Sequence, residues 1–281
     1  MRPSLRGKVV LVTGASSGIG WACARVFAAQ GARLILAARR KTRLERLAAT
    51  IRRTVGIPCL GWAVDVRQRV AVESGIRALP RSWQKIEVLI NNAGLSRGLV
   101  KLHEGSHQDW EEMIDTNIKG LLYVSRAVIP GMVARKRGTI INIGSIAGHE
   151  TYPGGAVYCA TKRAVDALTT GLRMDLVETP LRVCTVDPGM VDTEFSLVRF
   201  HGDRSRAKQV YEGLTPLTAD DVADAVLYCA TRPPHVQVAE IILLHSAQAG
   251  ATLVHRAKGR GQWSVVSDRS QGDFTEGLNG H

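Results

Sequence analysis

Apolar residues alternate between two patterns along this chain. Short unbroken runs rich in Val and Ile occupy residues 9–12, 34–37, 60–64, 88–90, 139–143, 183–186 and 241–244. Such runs predict strands buried on both faces. The segments between them repeat near 3.6 residues and predict helices. One spans 21–30 and stops at Gly31, a helix-ending residue. A long one spans 109–137 and contains Pro130; a kink is expected there, because proline has no N–H for the helical ladder. Another spans 157–178 and stops before Pro180. Repeated strand–helix alternation predicts parallel strands joined by crossover helices. The expected architecture is an α/β, doubly wound, parallel sheet of seven strands in a single domain over residues 1–256. Ligands bind such sheets outside the carboxyl ends of the strands. Residues 257–281 are rich in Gly, Ser, Gln and Asp without apolar periodicity, and predict a flexible tail.

Bulk properties narrow the function classes. The chain has 281 residues, 45% apolar and 22% charged, an ordinary globular mixture large enough for one core. No apolar run approaches the ~20 residues that span a bilayer. The first run, 9–12, is too short for a signal-peptide core, so a cytoplasmic protein with no membrane contact is expected. Cys23, Cys59, Cys159, Cys184 and Cys229 form no C-x-x-C pair, and the histidines show no zinc spacing; reduced thiols and no metal follow. Thirty-seven Lys and Arg against 25 Asp and Glu give a net charge of +12. The basic residues are spread along the chain without interleaved aromatics, which favours a solvated surface over a nucleic-acid face.

One local feature does call for an anion. The run 9–12 leads into Thr13-Gly14-Ala15-Ser16-Ser17-Gly18-Ile19-Gly20 and then a helix. Strand, glycine turn and helix N-terminus together point backbone N–H groups and the positive end of the helix dipole at one spot. Gly14 allows the tight turn, Gly18 lets a pyrophosphate approach, and Gly20 allows close helix–strand packing. At the end of the second strand an NAD site places an acid against the ribose 2′-OH. Here Ala38-Arg39-Arg40-Lys41 stands instead. Guanidinium groups at that place suit a 2′-phosphate, so NADP is the expected cofactor. Asp65, ending the third strand, is either an acceptor for the adenine amino group or a helix cap. Asn91-Asn92-Ala93-Gly94 after the fourth strand is either an adenosine contact or a plain turn.

Tyr158 and Lys162 are four residues apart in a predicted helix, which stacks them about 6 Å apart on one face. Tyrosine normally ionises near pH ~10; a neighbouring ammonium favours the phenolate, and a tuned phenol can exchange a proton with a substrate hydroxyl. Ser145 lies just past the strand 139–143, where its hydroxyl can hold a substrate oxygen. Asn117 lies inside the long helix; it holds a relay water for Lys162 or is a satisfied buried amide.

At these residues the chain resembles the short-chain dehydrogenase/reductase family: the 13–20 turn, Asp65, residues 91–94, Asn117, Ser145, Tyr158, Lys162, Pro188-Gly189 and Thr193 stand in family order and spacing over about residues 5–250. The resemblance implies a Rossmann-like fold and a catalytic set of Asn117, Ser145, Tyr158 and Lys162, with Ser145 and Tyr158 on the substrate. It implies an NADP contact set of Gly14, Ser16, Ser17, Gly18, Ile19, Gly20, Arg39, Arg40, Asp65, Val66, Asn91, Ala93, Gly94, Tyr158, Lys162, Pro188, Gly189, Val191 and Thr193. Segments 92–95, 110–120, 127–131, 140–144 and 193–203 are similar to the branch of NADP-dependent 3-hydroxy acid and serine dehydrogenases, typically tetramers, though a dimer also fits. An acid substrate needs a cation, with Arg199 the first candidate and Arg97 the second; both also read as surface arginines. His149 reads as pocket lining or loop. The implied function is interconversion of a 3-hydroxy acid, serine-like, and its semialdehyde or ketone. Alternatives are a broad carbonyl or 3-oxoacyl-thioester reductase, and a non-catalytic NADP-binding regulator; the intact Ser, Tyr and Lys argue against the last.

Overall fold

The computed structural model describes residues 4–257 and 265–266. Seven strands, β1 (Val9–Thr13), β2 (Arg33–Ala38), β3 (Cys59–Ala63), β4 (Ile86–Asn91), β5 (Thr139–Ile143), β6 (Arg182–Pro188) and β7 (Glu240–Leu243), form one sheet in the order β3-β2-β1-β4-β5-β6-β7. Every neighbouring pair is parallel. The expected doubly wound sheet is therefore present, with its order reversing between β1 and β4.

Alternation along β1 shows how the layers are built. Val10 and Val12 face one core with Cys23 and Phe27 of α1 (Gly18–Ala29) and Val226 of α9 (Ala219–Ala230). Val9 and Leu11 face the other core with Val128 and Met132 of α5 (Leu121–Ala134). Both faces of the central strands are thus dry, which is why they read as unbroken apolar runs. The outer strands differ. β3 and β7 alternate between covered and exposed residues, and Ile242 is 46% exposed, because an edge strand lacks a full covering layer.

The predicted long helix is three pieces. α4 (His107–Ile114) passes into a π-helical stretch, Asp115–Gly120, and then into α5. Pro130 lies inside α5, which runs past it to Ala134; the assigned break in the α ladder sits at 115–120 instead of at the proline. Single π turns often mark functional positions in helices, and Asn117 lies in this one. The helix predicted at 157–178 is α6 (Ala156–Asp175). The remaining helices are α2 (Lys41–Val55), α3 (Arg69–Arg77), α7 (Phe195–Arg199) and α8 (Arg204–Gln209). Among the described residues no helix is long and apolar enough to cross a membrane. Within the segment predicted as a tail, β9 (Val265–Val266) pairs antiparallel with β8 (Val254–His255); the rest of it, 258–264 and 267–281, lies outside the described residues.

Candidate functional site

A cleft of about 820 Å³ opens at the carboxyl ends of the strands. At its floor, Gly14 and Gly18 have φ of +65° and +52°, values that favour glycine. A Cβ on Gly14 would lie 2.7 Å from Asn92 Nδ2 and one on Gly20 would lie 2.5 Å from Gly14 O. Gly20 does not line the cleft; it lets α1 close on the turn. The turn is braced from β4: Thr13 Oγ1 accepts from the backbone N–H of Asn92 and of Ala93, each at 3.0 Å, and Asn92 Nδ2 donates to Thr13 O at 2.9 Å.

Arg40 lies at this turn. Its guanidinium donates to Ser16 Oγ at 3.1 Å and Ser17 Oγ at 2.6 Å. It also pairs with Glu194 at 2.8 Å, and Arg43 meets the same carboxylate at 2.6 Å. These cations hold the Glu194 carboxyl below its usual range against the opposing effect of burial. Arg39 lines the cleft and faces Glu112 at 3.7 Å. The two serines and Arg40 are donors of the type that suits a phosphate, with Glu194 engaging Arg40 in this structure. Asp65 and Val66 line the adjacent wall. Asp65 accepts from the Arg67 backbone and guanidinium at 3.0 Å; burial opposes its ionisation, and Arg67 outweighs burial. This is a local turn and not a helix cap, because α3 begins at Arg69 with Gln68 at its N-cap and no side-chain cap bond. Ile19, Ala93, Gly94, Pro188, Gly189, Val191 and Thr193 also face the cleft. Asn91 does not. Its amide donates to Ser125 Oγ at 3.0 Å and Asn142 Oδ1 at 2.9 Å, because an even step along β4 turns it into the core under α5.

Ser145, Tyr158 and Lys162 converge at the inner end of the cleft. The Lys162 ammonium donates to Ile143 O at 2.8 Å and lies 5.9 Å from the Tyr158 ring centroid. Burial lowers Lys162 to about 8. The phenol does not follow the expected downward shift: burial, and next the Tyr152 phenol, raise it, while Arg199 and the Ser145 hydroxyl pull it back. In this desolvated state the neutral phenol is favoured, so phenolate formation requires further positive charge beside it. The Asn117 side chain is buried and hydrogen-bonded. Its Oδ1 accepts from Leu95 N at 2.8 Å, and its Nδ2 donates to Leu95 O at 2.8 Å and Thr161 Oγ1 at 3.0 Å. The side chain pins the segment after β4 to α6 and leaves no donor spare for a water.

Two arginines were candidates for an acid group, and they separate. Arg97 donates to Glu112 at 2.7 Å and to Val198 O, and it stands outside the main cleft. Arg199 is in it. Its guanidinium lies 5.5 Å from the Tyr158 ring and 5.0 Å from the Phe195 ring, and it donates to Tyr152 Oη at 3.3 Å. Its Nε is buried without a hydrogen-bond partner, a costly state that an anion would relieve. Tyr152, Phe195, Arg43 and Glu194 carry no motif in the sequence; only Arg43, one helical turn after Arg40, had a local signal. His149 lines no part of the cleft and faces Asp187 and Glu240, each at 3.3 Å.

Known proteins are similar to this chain in sequence and in fold. The family model "short chain dehydrogenase" matches residues 8–202. An NADP-dependent 3-hydroxy acid dehydrogenase of Salmonella typhi is 47% identical over 251 residues, 89% of this chain and 100% of that protein. One of Schizosaccharomyces pombe is 42% identical over 253 residues, 90% of this chain and 98% of that protein. The closed form of a serine dehydrogenase complexed with NADP+ is 45% identical with a TM-score of 0.83, covering 89% of this chain and 100% of that one. The chain belongs to the short-chain dehydrogenase family.

Proposed function

We propose that this protein is an NADP-dependent dehydrogenase of 3-hydroxy acids, serine-like acids included, working reversibly on their aldehyde or ketone forms. The observation that carries the acid is Arg199: a guanidinium with a buried, unpartnered Nε, held against the Tyr158 ring. A carboxylate there would take a charge-assisted bond and place the carbon two atoms away beside Ser145 and Tyr158. The printed activities of the relatives, 3-hydroxy acid and serine dehydrogenases, agree with that reading.

The glycine turn fits a dinucleotide, since its backbone leaves no room for side chains on Gly14 or Gly20. The pyrophosphate would rest on 14–20, the 2′-phosphate on Arg40 with Ser16 and Ser17, the adenosine along Asp65, Val66 and Ala93, and the nicotinamide side along Pro188, Gly189, Val191 and Thr193. When bound, the nicotinamide supplies the hydride acceptor or donor. Ser145 Oγ holds the substrate oxygen. Tyr158 Oη takes the hydroxyl proton in oxidation and returns it in reduction. Lys162 orients the ribose side and contributes positive charge to Tyr158, and Asn117 fixes the segment that Gly94 ends. A cytoplasmic location fits the five unpaired cysteines. A homotetramer would cover exposed apolar side chains such as Met174, Val177, Tyr228 and Ile242; sedimentation would measure it.

The test is Arg199→Ala, assayed on 3-hydroxybutyrate-like acids and on uncharged alcohols of the same length. KM for the acids should rise about 10–100-fold, the loss of one charge-assisted bond, with KM for the uncharged alcohols little changed. Equal rises for both would remove the carboxylate clamp.

A further inference from the structure

His149, Asp187 and Glu240 come from three parts of the sheet edge: the turn after Ser145, the end of β6 and the start of β7. Their ligand atoms all lie within 4.8 Å of one another. His149 Nε2 is 3.3 Å from Asp187 Oδ2 and 3.3 Å from Glu240 Oε1. These two separations, one of them a hydrogen bond, also match tetrahedral coordination, in which metal bonds of about 2.0–2.2 Å put neighbouring ligands roughly 3.3–3.6 Å apart.

The site has a rigid floor and an open side. The Asp187 side chain is 2% exposed, that of His149 22% and that of Glu240 37%. Asp187 Oδ1 occupies the space over Gly144, where a Cβ would fall 1.7 Å from it. The carboxylate is thereby fixed with Oδ2 toward His149. The Asp187 carboxyl is hydrogen-bonded to His149; burial, and next its hydrogen bond with Glu240, favour its neutral form, while His149 and Thr185 favour the carboxylate. The groups around it are the Thr185 hydroxyl, Lys162, and Arg163, whose guanidinium donates to His149 O at 2.8 Å. Neither cation forms an ion pair with Asp187 or Glu240 among the described residues. A metal ion would replace the proton that these three groups otherwise share, since ligands bind metals in their deprotonated forms.

We propose that His149 Nε2, Asp187 Oδ2 and Glu240 Oε1 form a binding site for one zinc ion, with water in the fourth position on the open side. One nitrogen and two oxygens suit zinc at near-tetrahedral geometry. The ion would tie the turn bearing Ser145 to β6 and β7. It stands outside the cleft, and so gives the protein a structural site beside its active centre. It is independent of the substrate reading given above.

The full chain, dialysed against EDTA and then freed of it, is titrated with zinc ion alone by calorimetry. One equivalent should bind, and the melting temperature should rise with zinc concentration. His149→Gln and Glu240→Gln should each weaken binding at least ~100-fold, more than is typical for loss of an outer-shell partner. Glu240 is on the exposed edge strand, so its variant tests the site without disturbing the core; NADPH binding by each variant reports that it is folded. No saturable binding to the wild type, or undiminished binding by the folded Glu240→Gln and His149→Gln variants, would leave His149 as a hydrogen-bonded partner of two carboxylates and overturn the site.

Discussion

The two ends of the cleft are made differently. The dinucleotide end is assembled from consecutive residues: Gly14 to Gly20 on one turn, Arg39 and Arg40 at the next strand end, Asp65 and Val66 at the third. The substrate end is assembled across the chain: Ser145 after β5, Tyr158 and Lys162 on α6, Arg199 on α7, Tyr152 in the loop between. The first end is mostly backbone and flexible cations at a half-open rim, where Arg40 and Arg43 have side chains 42% exposed. The second is buried polar chemistry, with Tyr158, Lys162 and Ser145 each under 10% exposed. Local geometry makes a site that binds; desolvation makes one that reacts, because charges and hydrogen bonds are stronger where water is excluded.

The sharpest way to break this division is Tyr158→Phe. The change removes one hydroxyl from the buried end and leaves every group of the dinucleotide end in place. Turnover should fall by about 10²–10⁴-fold or more, the range for a positioned proton donor, and NADPH affinity measured by fluorescence should change little. A large loss of NADPH affinity would mean that the two ends are one energetic unit.

The converse variant is Arg40→Asp. It replaces the group that meets Ser16 and Ser17 with a carboxylate that repels a phosphate and accepts from a ribose hydroxyl. NADPH affinity should drop on the order of 100-fold, about 2.7 kcal/mol, and NADH affinity should hold or improve. Binding titrations with both nucleotides read this directly. Unchanged preference would move the 2′-phosphate contact to Arg39, which faces Glu112 at 3.7 Å.

The same contrast explains what was legible in the sequence. Strands, their order of appearance, the glycine turn and the arginine pair are patterns over a few consecutive residues. Tyr158 and Lys162 were legible for the same reason, being one helical turn apart. Arg199 was a candidate only through the chemistry of an acid, and its rival Arg97 was separable only in three dimensions, by the Glu112 carboxylate that engages it at 2.7 Å. Asn91 differs from its neighbours: 92–94 face the cleft while strand alternation turns its own side chain inward. The Glu194 pairing with Arg43 spans 151 positions, and the His149–Asp187–Glu240 group draws on β6, β7 and the turn after β5. No spacing rule reaches such groups, because parallel strands bring together residues separated by whole crossover units. The break at 115–120 rather than at Pro130 has a similar origin: the stretch is tied by Asn117 to Leu95 and Thr161, contacts that helix propensity does not see.

The smallest effect, and the subtlest test of the comparison, concerns stability. A buried end selected for chemistry should cost the fold something, and Lys162 is where the cost is concentrated. Burial lowers its ammonium from 10.5 to about 8, so the folded state binds this proton less tightly than the unfolded chain does. Below pH ~8 the penalty is complete; between pH ~8 and ~10.5 it fades as the unfolded chain also loses the proton, and stability from this group rises with pH across that window. Lys162→Met, similar in length and uncharged, gives up the bond to Ile143 O and removes the buried charge. The cofactor-free variant should be more stable at pH 7 by on the order of 1–3 kcal/mol, read by urea denaturation, while turnover is lost. Its advantage should shrink toward pH ~10. An equal change at the rim, Arg43→Met, should move stability by no more than ~0.5–1 kcal/mol, because its ion pair is half exposed to solvent. If Lys162→Met proved less stable than the wild type at pH 7, the Ile143 bond and the packing around the lysine would outweigh desolvation, and the reactive end would be as well paired as the binding end.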